Sequence, residues 1–254
     1  MRRGRPAGPT GAVVGRALQM LDAFSDKHRA LSLSEIARRT DMPLSTVHRL
    51  MRELLAWGAV ERGEDGLFRI GLRLWELGAL APRGQGLREV ALPFLEDLSH
   101  ITKENVQLAV REGSEMVFIE RIAGTSAVPV LTRVGGRFAF TTTGVGLVLL
   151  AHAPAEVQEE VLGRPVERYT MKTVTDPRQL RRMLADVRTQ GFAVSDRQIS
   201  MDTLSVAAPV QDAQGQVIAA VSLVVHHGTS GPLALAQLVR TSARAISRAL
   251  DARI

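Results

Sequence analysis

Apolar residues recur at helical spacing in three stretches near the start of the chain. The first stretch begins at Val13, the second covers 33–37 and the third runs from about Leu44 to Trp57. Pro43 separates the second stretch from the third, because the residue before a proline disfavours helical geometry. The third stretch stops at Gly58, the usual residue type just after a helix. The apolar positions of the first predicted helix are Val13, Val14, Ala17, Leu18, Leu21 and Phe24.

Two short strands follow these helices. They are predicted at Val60–Arg62 and 67–70, and the turn between them contains Asp65 and Gly66, a pair typical of hairpins. A helix, a short helix, a turn, a longer helix and a hairpin, in this order, are the parts of a winged helix-turn-helix. We therefore predict such a domain at residues 12–71.

The pattern changes on either side of this domain. Residues 1–11 consist mainly of Arg, Gly and Pro without periodicity, which is typical of a disordered basic arm. Residues 72–80 are apolar at helical spacing, and the Pro-Arg-Gly sequence at 82–84 breaks that helix. We expect a connecting helix within 72–83 and a second domain at 84–254.

The second domain mixes strands and helices. The alternating or apolar runs typical of strands lie at 106–111, 116–122, 128–133, 138–140, 192–195, 204–210 and 216–225. Helical spacing is found at 87–102, 154–162, 177–190 and 234–250, and a further apolar helical stretch follows Gly146 and reaches Ala151. Several predicted strands are neighbours in the sequence, which favours an α+β fold around an antiparallel sheet.

The third helix is predicted to have two different faces. At 100° per residue, its apolar face comprises Val47, Leu50, Met51 and Leu54, and we expect this face to pack inward. Ser45, Arg49 and Arg52 lie on the opposite face, with Thr46 and His48 on the flanks. A helix with one apolar face and one Arg/Ser face suits the major groove of DNA.

The charge distribution supports this interpretation. Residues 1–83 contain 14 Lys/Arg and 9 Asp/Glu, whereas the rest of the chain contains 18 and 17, so the basic excess is at the N-terminal end. The alternative is a small helical domain with a solvated charged face. We expect double-stranded DNA to contact the arm, the helix-turn-helix and the flanks of the hairpin, at Arg2, Arg3, Arg5, Ser34, Ser45, Thr46, His48, Arg49, Arg52, Arg62 and Arg69.

Other classes of function find little support in the sequence. The absence of cysteine excludes disulfides, thiolate catalysis and cysteine zinc sites. The six histidines are scattered or adjacent without metal-ligand spacing, and no G-x-S-x-G sequence is present. The longest apolar run, 217–225, has the length of a strand rather than of a membrane span. We expect a cytoplasmic protein that is not an enzyme, with no cofactor and no membrane partner.

The segment Thr141–Gly146 precedes a predicted helix and consists of small residues. Backbone N–H groups at such a helix start can bind a carboxylate. These residues could equally serve a tight turn and close helix packing, and their spacing does not decide between the two interpretations.

The chain resembles the IclR family of transcriptional regulators over about residues 12–250. The resemblance rests on 33–37 (LSEIA), 43–50 (PLSTVHRL), 68–71 (FRIG), 87–95 (LREVALPFL), 191–194 (GFAV) and 207–210 (AAPV). It implies a DNA-binding regulator whose second domain has a GAF-like fold and binds a small organic effector. Leu44 stands where the family often has Lys.

The resemblance also implies an effector site. Gly144 and Val145 would supply backbone N–H groups, Val130 an apolar wall, and Ser195, Ser205 and Ser222 hydroxyls.

Several positions near this implied site depart from the family. Ser195 replaces a common Asp, Arg197 and Gln198 replace two common Glu, and Leu147 and Val224 replace more polar residues. Fewer carboxylates and an added Arg197 favour an organic acid with an apolar or aromatic part. The departures could instead mean that sensing has been lost.

The connecting helix carries more apolar side chains than a small domain readily buries: Leu72, Leu74, Trp75, Leu77 and Leu80. We expect a homodimer there that reads a pseudo-palindromic operator, although these side chains could instead cap the domain core. The resemblance also implies that two such dimers can associate into a homotetramer. Two alternatives remain open: a nonspecific DNA-associated protein with a structural second domain, and an enzyme with a DNA-binding appendage.

Overall fold

The computed structural model describes residues 13–25, 27–81 and 85–252. The chain divides after Ala81 into two compact units. The predicted arm, with Arg2, Arg3 and Arg5, lies outside the described residues. Helices and antiparallel strands occur in both units, so the α+β prediction is confirmed.

The first unit is a winged helix-turn-helix, as predicted. Its elements are α1 (Val13–Leu21), α2 (Leu33–Thr40), α3 (Leu44–Trp57), β1 (Val60–Arg62), β2 (Phe68–Ile70) and α4 (Leu72–Gly78). The two strands form an antiparallel hairpin in which Glu61 lies opposite Arg69. Leu31 pairs with Phe68 through both backbone groups, which attaches the start of α2 to the wing.

Capping fixes the two helices of the helix-turn-helix. The Ser32 hydroxyl accepts from the Glu35 amide, and the Glu35 carboxylate accepts from the Ser32 amide. These hydrogen bonds from Ser32 lower the pKa of Glu35. Asp41 ends α2 in the left-handed region with φ of 57°, and Gly58 ends α3 with φ of 82°. Asp41 therefore fixes the backbone where the turn to α3 begins, and Gly58 fixes the far end of α3.

The core of the first unit corrects the pattern assigned to α1. Met20 and Ala23 are buried, whereas Val13, Val14 and Leu18 are exposed. Phe24 lies beyond the end of α1. Leu21 and Phe24 pack against this core, so the predicted apolar positions divide between core and surface. The helix has more apolar positions than one face can bury.

The second unit is a six-stranded antiparallel sheet covered by helices on both faces. In chain order it comprises α5 (Gln85–Thr102), β3 (Asn105–Glu112), β4 (Glu115–Ile122), β5 (Arg137–Phe138), a 3-10 turn (Phe140–Thr142), α6 (Gly144–Ala151), α7 (Ala155–Leu162), α8 (Pro177–Gln190), β6 (Ala193–Asp196), β7 (Thr203–Gln211), β8 (Val217–His226) and α9 (Pro232–Asp251). The strand order is β5-β4-β3-β8-β7-β6.

Alternation along the strands separates two cores. One face packs against α5 and α9 through residues such as Leu95, Val206 and Val239. The other face packs against α6, in which every residue is buried. The second face carries the polar positions Gln107, Ser195 and Ser205, so any ligand site of this unit is expected there.

One predicted strand is wrong. Residues 128–133 are irregular rather than extended in a sheet. Pro129 lacks an N–H for a strand ladder, and side chains of β3 hold the segment instead. The Asn105 amide donates to the Val128 carbonyl at 2.7 Å, and the Gln107 amide donates to the Thr132 hydroxyl at 2.5 Å.

Candidate DNA-binding surface and ligand pocket

The outward side of α3 is the most prominent feature of the first unit. Val47, Leu50 and Met51 are buried against the core. The opposite side exposes Ser45, His48, Arg49 and Arg52, while Thr46 is half-buried. The two-faced helix predicted from the sequence is therefore present, and Leu54 is partly buried at its edge.

Arg49 and Arg52 differ from most arginines of this protein. Neither has a hydrogen-bond or ion-pair partner within the described part of the chain. As far as the described residues go, their guanidinium groups can bind an anion without first breaking a hydrogen bond or an ion pair. Ser34 is exposed in the first turn of α2, and Leu44 exposes an apolar side chain where α3 begins.

The wing arginines are held by the wing itself. Arg69 donates from both terminal nitrogens to the Asp65 carboxylate, at 3.0 and 2.6 Å. This contact lowers the pKa of Asp65 to about 2. Arg62 donates to the Gly66 carbonyl and lies over the Phe68 ring. The wing cations are thus partly neutralised or held in place, unlike those of α3.

A cavity of about 60 Å³ opens on the α6 face of the second unit. Its volume is several times the ~10–15 Å³ needed by one water molecule. It lies among β3, β6, β7, β8, the segment before α6 and the irregular loop at 128–132. The residues that line it, all within the described part of the chain, carry no ionisable side chain: Gln107, Pro129, Val130, Leu131, Thr132, Phe138, Thr142, Thr143, Ser195, Ile199, Ser200, Thr203, Ser205 and Val224.

The structure brings only some of the expected effector residues to this cavity. Val130, Ser195 and Ser205 line it. Gly144 lies just behind, since a Cβ built on it would be 2.8 Å from the Ser205 hydroxyl. Val145, the second residue of α6, is buried in the core and does not line the cavity.

Ser222 lies on β8 between Gln107 of β3 and Ala207 of β7. It is fully buried, and its hydroxyl has no hydrogen-bond partner among the described residues.

The start of α6 supplies polar groups to the cavity wall. The Ser195 hydroxyl donates to the Thr142 carbonyl at 2.7 Å. The Thr142 side chain is completely buried, and its own hydroxyl has no partner within the described residues. Thr143 caps α6 by accepting from the Gly146 amide. The first-turn N–H groups of a helix lack intrahelical acceptors, so a polar ligand at Thr142 would also meet the positive end of α6.

Arg197 does not contribute charge to the cavity, contrary to the expectation. Its guanidinium donates twice to the neighbouring Asp196 carboxylate, both at 3.0 Å, and this contact lowers the pKa of Asp196. Gln198 is buried and accepts from the Val174 amide. Leu147 packs in the core. Of the substituted positions, only Ser195 and Val224 line the cavity.

Several lining residues were missed by sequence reasoning. Gln107 and Thr132 form one wall, and Ile199 and Thr203 form part of another. Phe138 stacks on Tyr169 with ring centroids 5.9 Å apart. One signal was available in the sequence, because Gln107 is a polar residue within the otherwise apolar run 106–110.

Other chemistry finds no support among the described residues. No group of three or more potential ligands could hold a metal ion there. Within the same residues, every helix is too short or too polar to span a lipid bilayer.

Comparison with known proteins matches both units. A family model described as the IclR helix-turn-helix domain matches residues 13–64, and the model described as bacterial transcriptional regulator IclR C-terminal matches residues 81–248. The HTH-type transcriptional regulator XynR of Escherichia coli (strain K12) is 32% identical over 212 residues, covering 83% of this chain and 84% of XynR. The Pca regulon regulatory protein of Pseudomonas putida is 31% identical, with 85% of this chain and 74% of that protein covered.

A solved structure is also similar over nearly the whole chain. It is an IclR homolog complexed with 4-hydroxybenzoate from Microbacterium hydrocarbonoxydans, 38% identical with a TM-score of 0.90, covering 94% of this chain and 99% of that one. The family models together span both units, and curated regulators match more than two thirds of the chain. The chain therefore belongs to the IclR family of bacterial transcriptional regulators, and it is a DNA-binding regulator.

Proposed function

We propose that an aromatic carboxylic acid binds in the cavity of the second unit and controls the affinity of the first unit for its operator. The observation that carries this proposal is the unpartnered Thr142 hydroxyl at the start of α6, beside a cavity without ionisable side chains. Val130, Phe138 and Val224 supply apolar walls for a ring. The similar regulator with bound 4-hydroxybenzoate supports the same ligand class.

The cavity favours an acid over an amine for electrostatic reasons. Hydroxyls and backbone N–H groups can donate to a carboxylate, and the positive end of the α6 dipole is adjacent. A cation would need a carboxylate partner, and the lining residues provide none. They also include no histidine, lysine, aspartate or glutamate to move a proton, which supports a binding role rather than catalysis.

Calorimetry can test the ligand class with a matched pair. We expect benzoate to bind, and benzamide, its neutral isostere, to bind at least tenfold more weakly. The proposal is contradicted if benzamide equals or exceeds benzoate. In parallel, saturating benzoate is expected to change the anisotropy titration of a fluorescent operator duplex, because an effector must bind one state of the regulator better than another.

For the first unit, we propose that α3 enters the major groove with Arg49 and Arg52 toward the DNA. In this proposal the DNA-binding domain comprises residues 12–71, the connecting helix lies within 72–83 and the effector domain comprises 84–254. A dimer of two such chains would place two α3 helices on a pseudo-palindromic operator. The cytoplasm is the compartment consistent with such a role.

The exposed apolar side chains of α4 and of Leu80, two residues after it, support dimerisation. Trp75 is 69% exposed, and Leu72 and Leu80 are exposed to a similar extent. Sedimentation velocity is expected to show a dimer or dimer of dimers for the wild type and a smaller species for Trp75→Glu. Trp57→Glu is unsuitable as the control because Arg73 lies over its ring. The control is Met171→Glu, because Met171 is an exposed apolar residue of the second unit. This substitution should leave the assembly unchanged.

A further inference from the structure

Gln107 occupies a position in the cavity that the carboxylate proposal does not use. It is the third residue of β3, and only 3% of its surface is exposed. Its amide nitrogen donates to the Thr132 hydroxyl on the irregular loop at 128–132. The loop takes one N–H of this amide, and the amide oxygen of Gln107 has no hydrogen-bond partner among the described residues, so the oxygen is an acceptor at this wall of the cavity.

Gln107 lies on the opposite side of the cavity from the start of α6. Gly144, the first residue of α6, lies against Ser205 of β7. In the sheet, β8 separates β3 from β7, so the two walls are about 10 Å apart at the backbone. Ser222 of β8 lies between Gln107 and β7, and Val224, which lines the cavity, is the β8 residue opposite Ser205. A benzene ring with one polar group at each end spans such a gap, with a hydrogen bond at each wall.

We propose that Gln107 is a specificity-determining residue that accepts a hydrogen bond from a hydroxyl at the far end of an aromatic acid. This inference rests on the proposed function and narrows its ligand class to para-hydroxylated aromatic acids. The carboxylate lies toward Thr142 and the start of α6, and the hydroxyl lies toward Gln107. Thr132 acts as a positioning residue, because its hydroxyl holds the amide nitrogen and so fixes the direction of the oxygen.

A structural role alone would give a different result. If Gln107 served only to hold the loop at 128–132, its removal would weaken all aromatic acids to the same extent. If Gln107 binds the ligand hydroxyl, its removal changes the ratio of the dissociation constants of two ligands, one with that hydroxyl and one without it. The ratio of two dissociation constants therefore separates the two roles.

The test is a set of calorimetric titrations of the full chain with 4-hydroxybenzoate, 3-hydroxybenzoate and benzoate. For the wild type, we expect 4-hydroxybenzoate to bind at least tenfold more tightly than the other two. For Gln107→Leu, we expect this preference to fall to less than threefold through weaker binding of 4-hydroxybenzoate, with benzoate nearly unchanged. Thr132→Val should reduce the preference partially.

The outcomes are distinguishable. If the wild type binds none of the three acids, the proposed function fails and this inference fails with it. If the wild type binds benzoate and 4-hydroxybenzoate equally, the proposed function stands and this inference is overturned. Equal weakening of both ligands by Gln107→Leu, with the preference intact, also overturns it. The comparison of 3- and 4-hydroxybenzoate on the wild type needs no variant, so a poorly folding substitution cannot obscure the result.

Discussion

The outer face of α3 and the cavity of the second unit, the two proposed recognition surfaces, have opposite electrostatic character. On α3, Arg49 and Arg52 are exposed and have no partner among the described residues. Around the cavity, the lining residues have no ionisable side chain. Free cations suit a polyanion attracted by charge, whereas hydroxyls and an amide suit a small ligand selected by hydrogen-bond geometry.

The difference shows how one chain can keep two kinds of recognition apart. Arg197, the arginine expected to favour an anionic ligand, is neutralised by Asp196 instead of facing the cavity. The wing cation Arg69 is likewise paired with Asp65. Among the candidate DNA-contacting arginines that the structure describes, those of α3 are therefore the ones without a partner in the described chain, and charge should matter most there.

The largest expected effect comes from removing these free cations. Arg49→Ala should weaken operator binding by about 1–3 kcal/mol, and Arg49→Ala with Arg52→Ala should weaken it further, because a base or phosphate contact is lost at each position. Anisotropy titrations with an operator duplex measure the change. The control is Arg244→Ala, because Arg244 is an exposed arginine on α9. This substitution removes the same charge and should have little effect on operator affinity. Equal weakening by Arg244→Ala would show that net charge, not the α3 surface, is responsible.

At the neutral cavity, adding a charge rather than removing one should weaken binding. Ser195→Asp puts a carboxylate beside the acid ligand and should weaken benzoate binding by about 1–3 kcal/mol through like-charge repulsion. Ser195→Asn is the matched control, since its amide can still donate to the Thr142 carbonyl in place of the serine hydroxyl without adding charge. Calorimetry on both variants tests the claim, and similar losses for Asp and Asn would contradict it.

A smaller effect is expected at the wing. Asp65→Asn should tighten operator binding slightly, because it releases Arg69 from an exposed ion pair of modest strength. In an Arg69→Ala background, the same substitution should give little gain beyond the change in net charge. An equal gain in both backgrounds would mean that Arg69 does not contact DNA.

The smallest effect concerns a buried carboxylate in the second unit. One oxygen of Glu104 is buried without a partner among the described residues, and burial raises the pKa of this carboxyl above its ordinary value of 4.5. A raised folded-state pKa means that stability is lost as pH rises from 4.5 through the folded value. Glu104→Gln should therefore raise the melting temperature slightly at pH 7.5, and the gain should shrink toward pH 4. A gain that stays constant with pH would contradict this explanation.

The same contrast explains how much the sequence could predict. The α3 surface lies within one fourteen-residue helix, so periodicity alone determines which residues share a face. The cavity draws on β3, a loop, the start of α6 and three later strands. No local pattern brings Gln107 beside Thr132, because that contact depends on the register of the sheet and on the path of an irregular loop.

Individual errors have equally physical causes. The segment 128–133 has strand-like composition, but Pro129 and the side chains of Asn105 and Gln107 hold it as a loop. Arg197, which was expected to add positive charge near the ligand, has a left-handed backbone with φ of 55°, and its guanidinium donates to the Asp196 carboxylate. Backbone geometry of this kind cannot be read from residue type alone, since a non-glycine residue rarely adopts it.

The most direct test of the charge separation is the salt dependence of both binding reactions on one preparation. Between about 50 and 200 mM salt, operator affinity should fall steeply, and Arg49→Ala with Arg52→Ala should reduce the slope by roughly one unit for each phosphate contact that is lost. Benzoate affinity should change little over the same range. Operator binding that ignores salt, or a slope unaffected by the double substitution, would contradict the account.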